Sequence, residues 1–401
     1  MRTGLHVAVD VGSRFHQVAV GDAEGSLLEL FKIDHQPAGL DGFFSRIERH
    51  HARCGGEIRV AMEGYNGWAR PLDQQVLAHG WRLFNVNNLK LARYKEIFPA
   101  PAKTDAIDAR RILELFSFEG HSALARTALQ EVPPIPEAHR RLKYLTRRRR
   151  QLVEDKALRV TRLQGDLQAL SPGLLSITGA ADNLWFLRFL TCRDSLSALA
   201  RLRSQTLLNI VGVGQAYCEK IQTWQRDAQF SVDIEFADAD IIEDARAILA
   251  RIAEIKTMNA RIADVLRQSV DAQRVRSIPG FGPTGTAELI GEIGVFARFT
   301  SEASLAVYVG MAPLDHSSGM QNYGRRPHNI NTRCQNALMT CVARHMACVP
   351  ESRAYYDRKR DQGKTHNQAV RALGRHLVRV IWNLQHQQRD YEIRSKVEVE
   401  T

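Results

Sequence analysis

Four carboxylates stand where they could do metal chemistry. Asp10 closes the alternating run LHVAVD and is followed by Val11-Gly12, and Glu63 closes a second run, IRVAME, ahead of Gly64. Asp105 and Asp108 open a helical pattern, DAIDARRILELF. Their i, i+3 spacing aims both at one helix face. In a mixed sheet whose first and fourth strands are neighbours, two strand ends and the start of a packed helix can meet at one point. Carboxylates gathered there repel one another unless a divalent cation neutralises them. Hard oxygen donors suit Mg²⁺ or Mn²⁺, and a pair of such ions stabilises both the attacking and the leaving oxygen of a phosphodiester. Singly, each acid has an ordinary role open to it: a turn residue for Asp10, a surface residue for Glu63, a helix cap for Asp105, a dipole partner for Asp108. Their joint placement favours metal ligation.

A second set of residues points to phosphate. Ser277 to Ala287, SIPGFGPTGTA, has the form of a glycine hairpin opening a helix, in which Gly280 and Gly282 would let the backbone approach an anion. Downstream, Ser317-Ser318-Gly319 falls in an expected polar loop, with Arg325, Arg326 and Arg333 nearby to hold a phosphate while a hydroxyl attacks it. Residues 138–163 carry ten basic and two acidic side chains, including the run Arg147, Arg148, Arg149, Arg150. Their leucines keep a helical rhythm, which predicts a helix with a phosphate-facing side. The whole chain has 55 Lys plus Arg against 44 Asp plus Glu, a net charge of +11, which favours a polyanion as partner.

The elements that must position these residues follow from periodicity. Leu5 to about Leu30 reads as three short strands in a meander, followed by a helix over 39–53, a strand over 58–62, a helix over 68–79, a strand over 81–86 and a helix from Asp105. This is an α/β domain with a mixed sheet, placed at 1–118. The stretch 119–137, with Gly120, Pro133, Pro134 and Pro136, is expected as a linker. Residues 138–276 read as a helical, coiled-coil-like arm, and 277–401 as a mainly α C-terminal domain with a helix-hairpin-helix.

The composition excludes several classes. A chain of 401 residues with 44% hydrophobic and 25% charged residues has room for two or three cores, and no apolar run approaches the ~18 residues a membrane span needs. Without a secretory pattern at Met1, a cytoplasmic location is expected. Six scattered cysteines read as reduced packing residues; Tyr355 and Tyr356 read as packing and phosphate contacts beside a basic helix.

Together the motifs resemble the insertion-sequence transposases that join an Asp-Glu-Asp-Asp RuvC-like domain (an RNase-H-like fold) to a C-terminal serine domain, a family that includes the Piv-type DNA invertases and the bridge-RNA-guided recombinases. The matching positions are Asp10 in VAVDVG, Glu63 in AMEGYNGW, Asp105 and Asp108 in KTDAIDARRI, the hairpin SIPGFGPTGTA, the run GEIGVFARFTSEASLAVYVGMAPLD, and Ser318 in SSG. The resemblance implies that Asp10, Glu63, Asp105 and Asp108 bind Mg²⁺ and that Ser318 attacks DNA to form a phosphoserine. Ser318 is preferred to Ser317 because it directly precedes Gly319, as in the family motif. It further implies donor and target double-stranded DNA as substrates, an element-encoded guide RNA, and a homodimer assembling to a homotetramer. The chain departs from many relatives after the serine, where Asn331 to Asn336 reads NTRCQN and lacks their lysine and glycine. Two other readings keep part of this pattern: a structure-selective nuclease using metal-bound water, and a catalytically silent nucleic-acid-binding protein.

Overall fold

The computed structural model describes residues 4–64, 67–96, 104–118, 128–171, 173–312, 314–318, 321–325 and 330–392, the two short strands 314–318 and 321–325 in their backbone alone. The chain forms two compact units, Met1–Pro134 and Ile135–Thr401.

In the first unit the alternating runs become strands β1 (Gly4–Val11), β2 (Phe15–Asp22) and β3 (Leu27–Asp34). Helix α1 (Pro37–Cys54) leads to β4 (Glu57–Glu63), α2 (Arg70–Ala78) to β5 (Arg82–Val86), and α3 (Asn88–Lys95) and α4 (Asp105–Phe118) precede the short β6 (Leu129–Glu131). The sheet order is β3-β2-β1-β4-β5-β6. β1, β4 and β5 run parallel, and β2, β3 and β6 pair antiparallel with their neighbours. Central β1 is apolar on both faces because both are covered. Val7, Val9, Val60 and Met62 pack with Phe43 and Ile47 of α1 and Leu72 and Val76 of α2. On the opposite face the small residues Ala8, Ala19 and Ala61 meet Ala109, Ile112 and Phe116 of α4.

Part of the stretch expected as a linker therefore belongs to the sheet. Leu129 pairs with Val86 and joins the α4 core, but three residues are too few to show a period. Helix α3 also escaped the periodic reading, being eight residues long and mostly polar.

The second unit is built on two long helices, α5 (Glu137–Leu170) and, after four short helices, α10 (Ile234–Leu266). They run antiparallel: Leu142, Leu145 and Leu152 share one core with Met258, Ile262 and Val265, whereas Leu163 and Leu167 share another with Ile241, Ala245 and Ile248. The short helices α6 (Leu184–Leu190), α7 (Leu196–Leu199), α8 (Ser204–Leu208) and α9 (Gln215–Arg226) close over the second core around Phe186, Phe189 and Trp224. At the other end follow α11 (Val270–Arg276), α12 (Pro283–Ile293), α13 (Glu302–Tyr308), the hairpin of β7 (Leu314–Ser318) and β8 (Gln321–Arg325), α14 (Thr332–Cys348), α15 (Pro350–Asp361) and α16 (His366–His386). The near ends of α5 and α10 share an apolar core with Ile278, Leu305, Val342 and Leu377, so packing is continuous across the expected boundary between 276 and 277. Cys334 and Cys341 are buried in that core, and burial pushes both thiols well above their usual range, as suits packing residues. No helix among the described residues is long and apolar enough to cross a membrane.

Helices α5 and α12 approach closely at Gly291, where a Cβ would lie 2.6 Å from the Lys143 backbone nitrogen. Gly291→Ala is expected to lower the stability of the second unit by roughly 1–3 kcal/mol through overpacking. Gly165 on α5 has open space around it, so Gly165→Ala is expected to raise stability by up to ~1 kcal/mol through helix propensity. Thermal melts of the two variants beside the parent should move in opposite directions.

Candidate metal centre and serine segment

Asp10 and Glu63 are register partners across the parallel pair β1 and β4, so their side chains leave the same face at the ends of adjacent strands. That face is the alanine-lined one, and α4 lies against it. Thr104 caps α4: its hydroxyl accepts a hydrogen bond from the Ile107 amide at 3.3 Å, and its carbonyl accepts from the Asp108 amide at 3.1 Å. The cap fixes where the helix starts and so where its first-turn acids fall; Asp108 is buried and Asp105 is exposed.

The Asp10 carboxyl is pushed up to about 6, first by burial and then by Glu63, Asp108 and Asp105, while Lys95 pulls it down. The other three acids named from the sequence thus all act on Asp10. Among them sits a residue the sequence reading missed: the Lys95 ammonium is 3.0 Å from Asp108 and 3.8 Å from Glu63. No three His, Cys, Asp or Glu side chains among the described residues stand as a ready-made metal cage. Glu63, Asp108 and the exposed Asp105 stand within electrostatic reach of Asp10, and hard oxygen donors of this kind would suit a divalent cation.

In the second unit the arginine run takes part in helix packing. Arg147 forms a two-pronged pair with Glu292 (2.6 and 2.9 Å), and Arg150 does the same with Glu288 (2.9 and 3.0 Å). Both glutamates are buried on α12. Burial alone would raise the Glu292 pKa, but the Arg147 and Asn331 side-chain bonds hold it below its usual value. Arg149 donates to Asn259 at 2.6 Å, and only Arg148 is exposed, its partner being Gln151 on the same helix. The guanidinium forks of Arg147 and Arg150 therefore tie α5 to α12. The signal was available in PTGTAELIGEI, where two acids four apart in an apolar helix need basic partners.

The glycine hairpin is also closely packed. Gly280 has φ +84°, and a Cβ there would lie 2.4 Å from the His345 backbone nitrogen, so its glycine lets α14 pass against the turn. A Cβ on Gly282 would meet the Arg344 guanidinium at 3.1 Å, and the Phe281 and Gly282 amides are bonded within the turn. Close packing thus requires glycine at Gly280.

Ser317 and Ser318, expected in a loop, end β7, where Ser317 pairs with Asn322 and Ser318 with Gln321 of β8. Arg325 ends β8 in backbone; Gly319 and Arg326 lie outside the described residues. Arg333 is exposed in the first turn of α14. That helix is anchored by Asn331, whose side chain accepts from the Cys334 amide (3.0 Å) and donates to Glu292 (2.9 Å) and to the Tyr308 hydroxyl (2.8 Å). Tyr308 in turn donates to the Glu292 carbonyl at 2.8 Å. The segment following the serine hairpin is thereby fastened to α12 and, through Glu292, to Arg147 of α5.

Because the folded state favours protonated Asp10, ionisation of that residue opposes folding: the penalty is absent below about pH 4, grows through pH 6 and then stays constant. Asp10→Asn is therefore expected to raise the melting temperature of the metal-free chain by about 2–4 °C at pH 7.5 and by much less at pH 4.5. Paired melts at the two pH values check this.

Comparison with known proteins places these features. Residues 7–172 match a transposase family model, the IS110-type DEDD domain, and residues 272–357 match the model described as the transposase IS116/IS110/IS902 family. Over 386 residues the chain is 27% identical to the insertion element IS116 uncharacterized 44.8 kDa protein of Streptomyces clavuligerus, covering 94% of each chain. It is also 27% identical to the IS900 uncharacterized 42 kDa protein of Mycobacterium paratuberculosis (95% of this chain, 96% of the relative) and to the IS110 uncharacterized 43.6 kDa protein of Streptomyces coelicolor (99% and 98%). A mixed α/β sheet domain bearing the acids, followed by a mostly helical region, is consistent with a RuvC-like transposase. With residues 7–172 and 272–357 matched and the relatives covered nearly end to end, the findings support an insertion-element transposase of the IS110/IS116 family.

Proposed function

We propose that this transposase is an RNA-guided DNA recombinase that cuts and rejoins donor and target double-stranded DNA through Ser318, with Asp10, Glu63, Asp105 and Asp108 holding Mg²⁺ or Mn²⁺. The observation that carries the reading is the convergence of the acids: two strand-end carboxylates in register, the first turn of α4 beside them, and an Asp10 carboxyl pushed up to about 6 by burial and its acidic neighbours. Such a centre is costly to maintain without a cation.

The chain's own residues have distinct parts in this reading. Asp10 and Glu63, fixed by the sheet, set the position of the cation, and Asp105 and Asp108 complete the donor set from α4. When bound, the ion stabilises charge developing on the phosphate oxygens. In the second unit the Ser318 hydroxyl attacks phosphorus; the P–Oγ bond forms as one P–O bond to deoxyribose breaks, the serine gives up its proton and the departing oxygen gains one. The phosphodiester is conserved as phosphoserine, so a deoxyribose hydroxyl from the other DNA can reverse the step without a nucleotide cofactor. Arg325, Arg326 and Arg333 are assigned to the phosphate, with Asn331 holding the segment that carries Arg333. A guide RNA and a homodimer assembling to a homotetramer complete the proposal, supported by the motif resemblance and by the net charge of +11.

The test is a denaturing gel of labelled donor DNA incubated with the protein, its co-expressed element RNA and Mg²⁺. A protein-linked DNA band is expected from the parent and from Ser317→Ala, and none from Ser318→Ala or Asp10→Ala. Cleaved DNA without an adduct, undiminished by Ser318→Ala, would make the protein a metal nuclease instead.

A further inference from the structure

The acid centre of the first unit contains a cation supplied by the chain. Lys95 ends α3, and its ammonium stands 3.0 Å from the Asp108 carboxylate and 3.8 Å from that of Glu63. Helix α3 is held in place for this. The Asn87 side chain caps its start by accepting from the Lys90 amide at 3.2 Å. One residue before the lysine, the buried Tyr94 donates its hydroxyl to Glu114 of α4 at 3.0 Å, and Arg111 grips the same carboxylate at 2.9 Å. The last turn of α3 is thus pinned to the helix that carries Asp105 and Asp108.

We propose that Lys95 is a built-in counter-ion of the acid centre, which competes with the divalent cation for Glu63 and Asp108 and thereby sets how tightly that cation binds. The inference rests on the metal reading of the four acids.

Three features separate this lysine from a fixed structural pair. The contacts are single-pronged, unlike the two-pronged grip of Arg147 on Glu292, whose carboxylate is fully buried. All three partners keep solvent access, with side-chain exposures of 27% for Lys95, 25% for Glu63 and 13% for Asp108, so water and ions can reach them. An ammonium on a flexible four-carbon stem can also swing away, which a pre-organised guanidinium fork does not do readily. Against four carboxylates one ammonium leaves a net negative charge, so the centre retains an attraction for a divalent ion. Removing the ammonium deepens that attraction and increases the repulsion in the metal-free state.

Isothermal titration of Mn²⁺ into the full-length chain tests this, with Asp10→Asn as the measure of binding elsewhere. Lys95→Met and Lys95→Gln are expected to bind Mn²⁺ about tenfold more tightly than the parent, whereas Lys95→Arg, which keeps the charge, stays within about twofold. In the absence of metal the two neutral variants should melt below the parent, and Mn²⁺ should raise their melting temperature by more. Unchanged or weaker Mn²⁺ binding in both neutral variants, beside a parent that binds, overturns the competition and leaves the metal reading standing. Absence of any Asp10-dependent Mn²⁺ binding in the parent overturns the metal reading and the competition with it.

Discussion

Carboxylates drawn together in a half-buried place repel one another, and the first unit is arranged to hold that repulsion at one end of its sheet. The parallel register of β1 with β4 puts Asp10 beside Glu63 with no freedom to separate, since sliding the pair by one residue would exchange the Val/Met face for the Ala face and set bulky side chains against α4. Ala8, Ala19 and Ala61 keep the sheet surface low, so α4 settles close enough for its first turn to join them. The unrelieved charge is answered by raised proton affinity at Asp10 and by the ammonium of Lys95. Local conflict of this kind is what supports the reading of the cluster as a functional site.

The second unit solves the opposite problem: among its described residues each buried acid is matched to an arginine. Glu292 and Glu288 lie inside the unit and are gripped by Arg147 and Arg150. Asp244, nearly inaccessible on α10, is gripped by Arg159 and Arg162 of α5. Such pairs contribute modest net stability, but losing the partner of Glu292 or Glu288 strands a buried charge. They therefore define how α5 meets α10 and α12. Glu292 extends the arrangement through Asn331 and Tyr308 to the start of α14, so the chain on both sides of the serine hairpin is tied to this framework.

The strands and the acids were legible from the sequence because alternation is a local signal and because two acids end apolar runs while two open a helix. Helix α3 and strand β6 were not, being short and weakly patterned, and Lys95 was missed with its helix. The arginine run was legible as a helix but its pairing was not: the partners of Arg147 and Arg150 lie 145 and 138 residues away, and no spacing rule reaches that far. The glycine hairpin was recognised as a tight turn, yet what presses on Gly280 is the backbone of α14, which only the tertiary structure brings there. The serine segment was read from its motif alone, and its strand pairing carried no clear periodic signal in the sequence.

The most direct test of the acid centre is anomalous X-ray diffraction from crystals of the full-length chain grown with Mn²⁺. A Mn²⁺ peak within about 2.0–2.3 Å of carboxylate oxygens of Asp10 and Glu63, with Asp105 or Asp108 completing the shell, is the expected result. A map with Mn²⁺ bound elsewhere and these four acids without a peak would contradict the account.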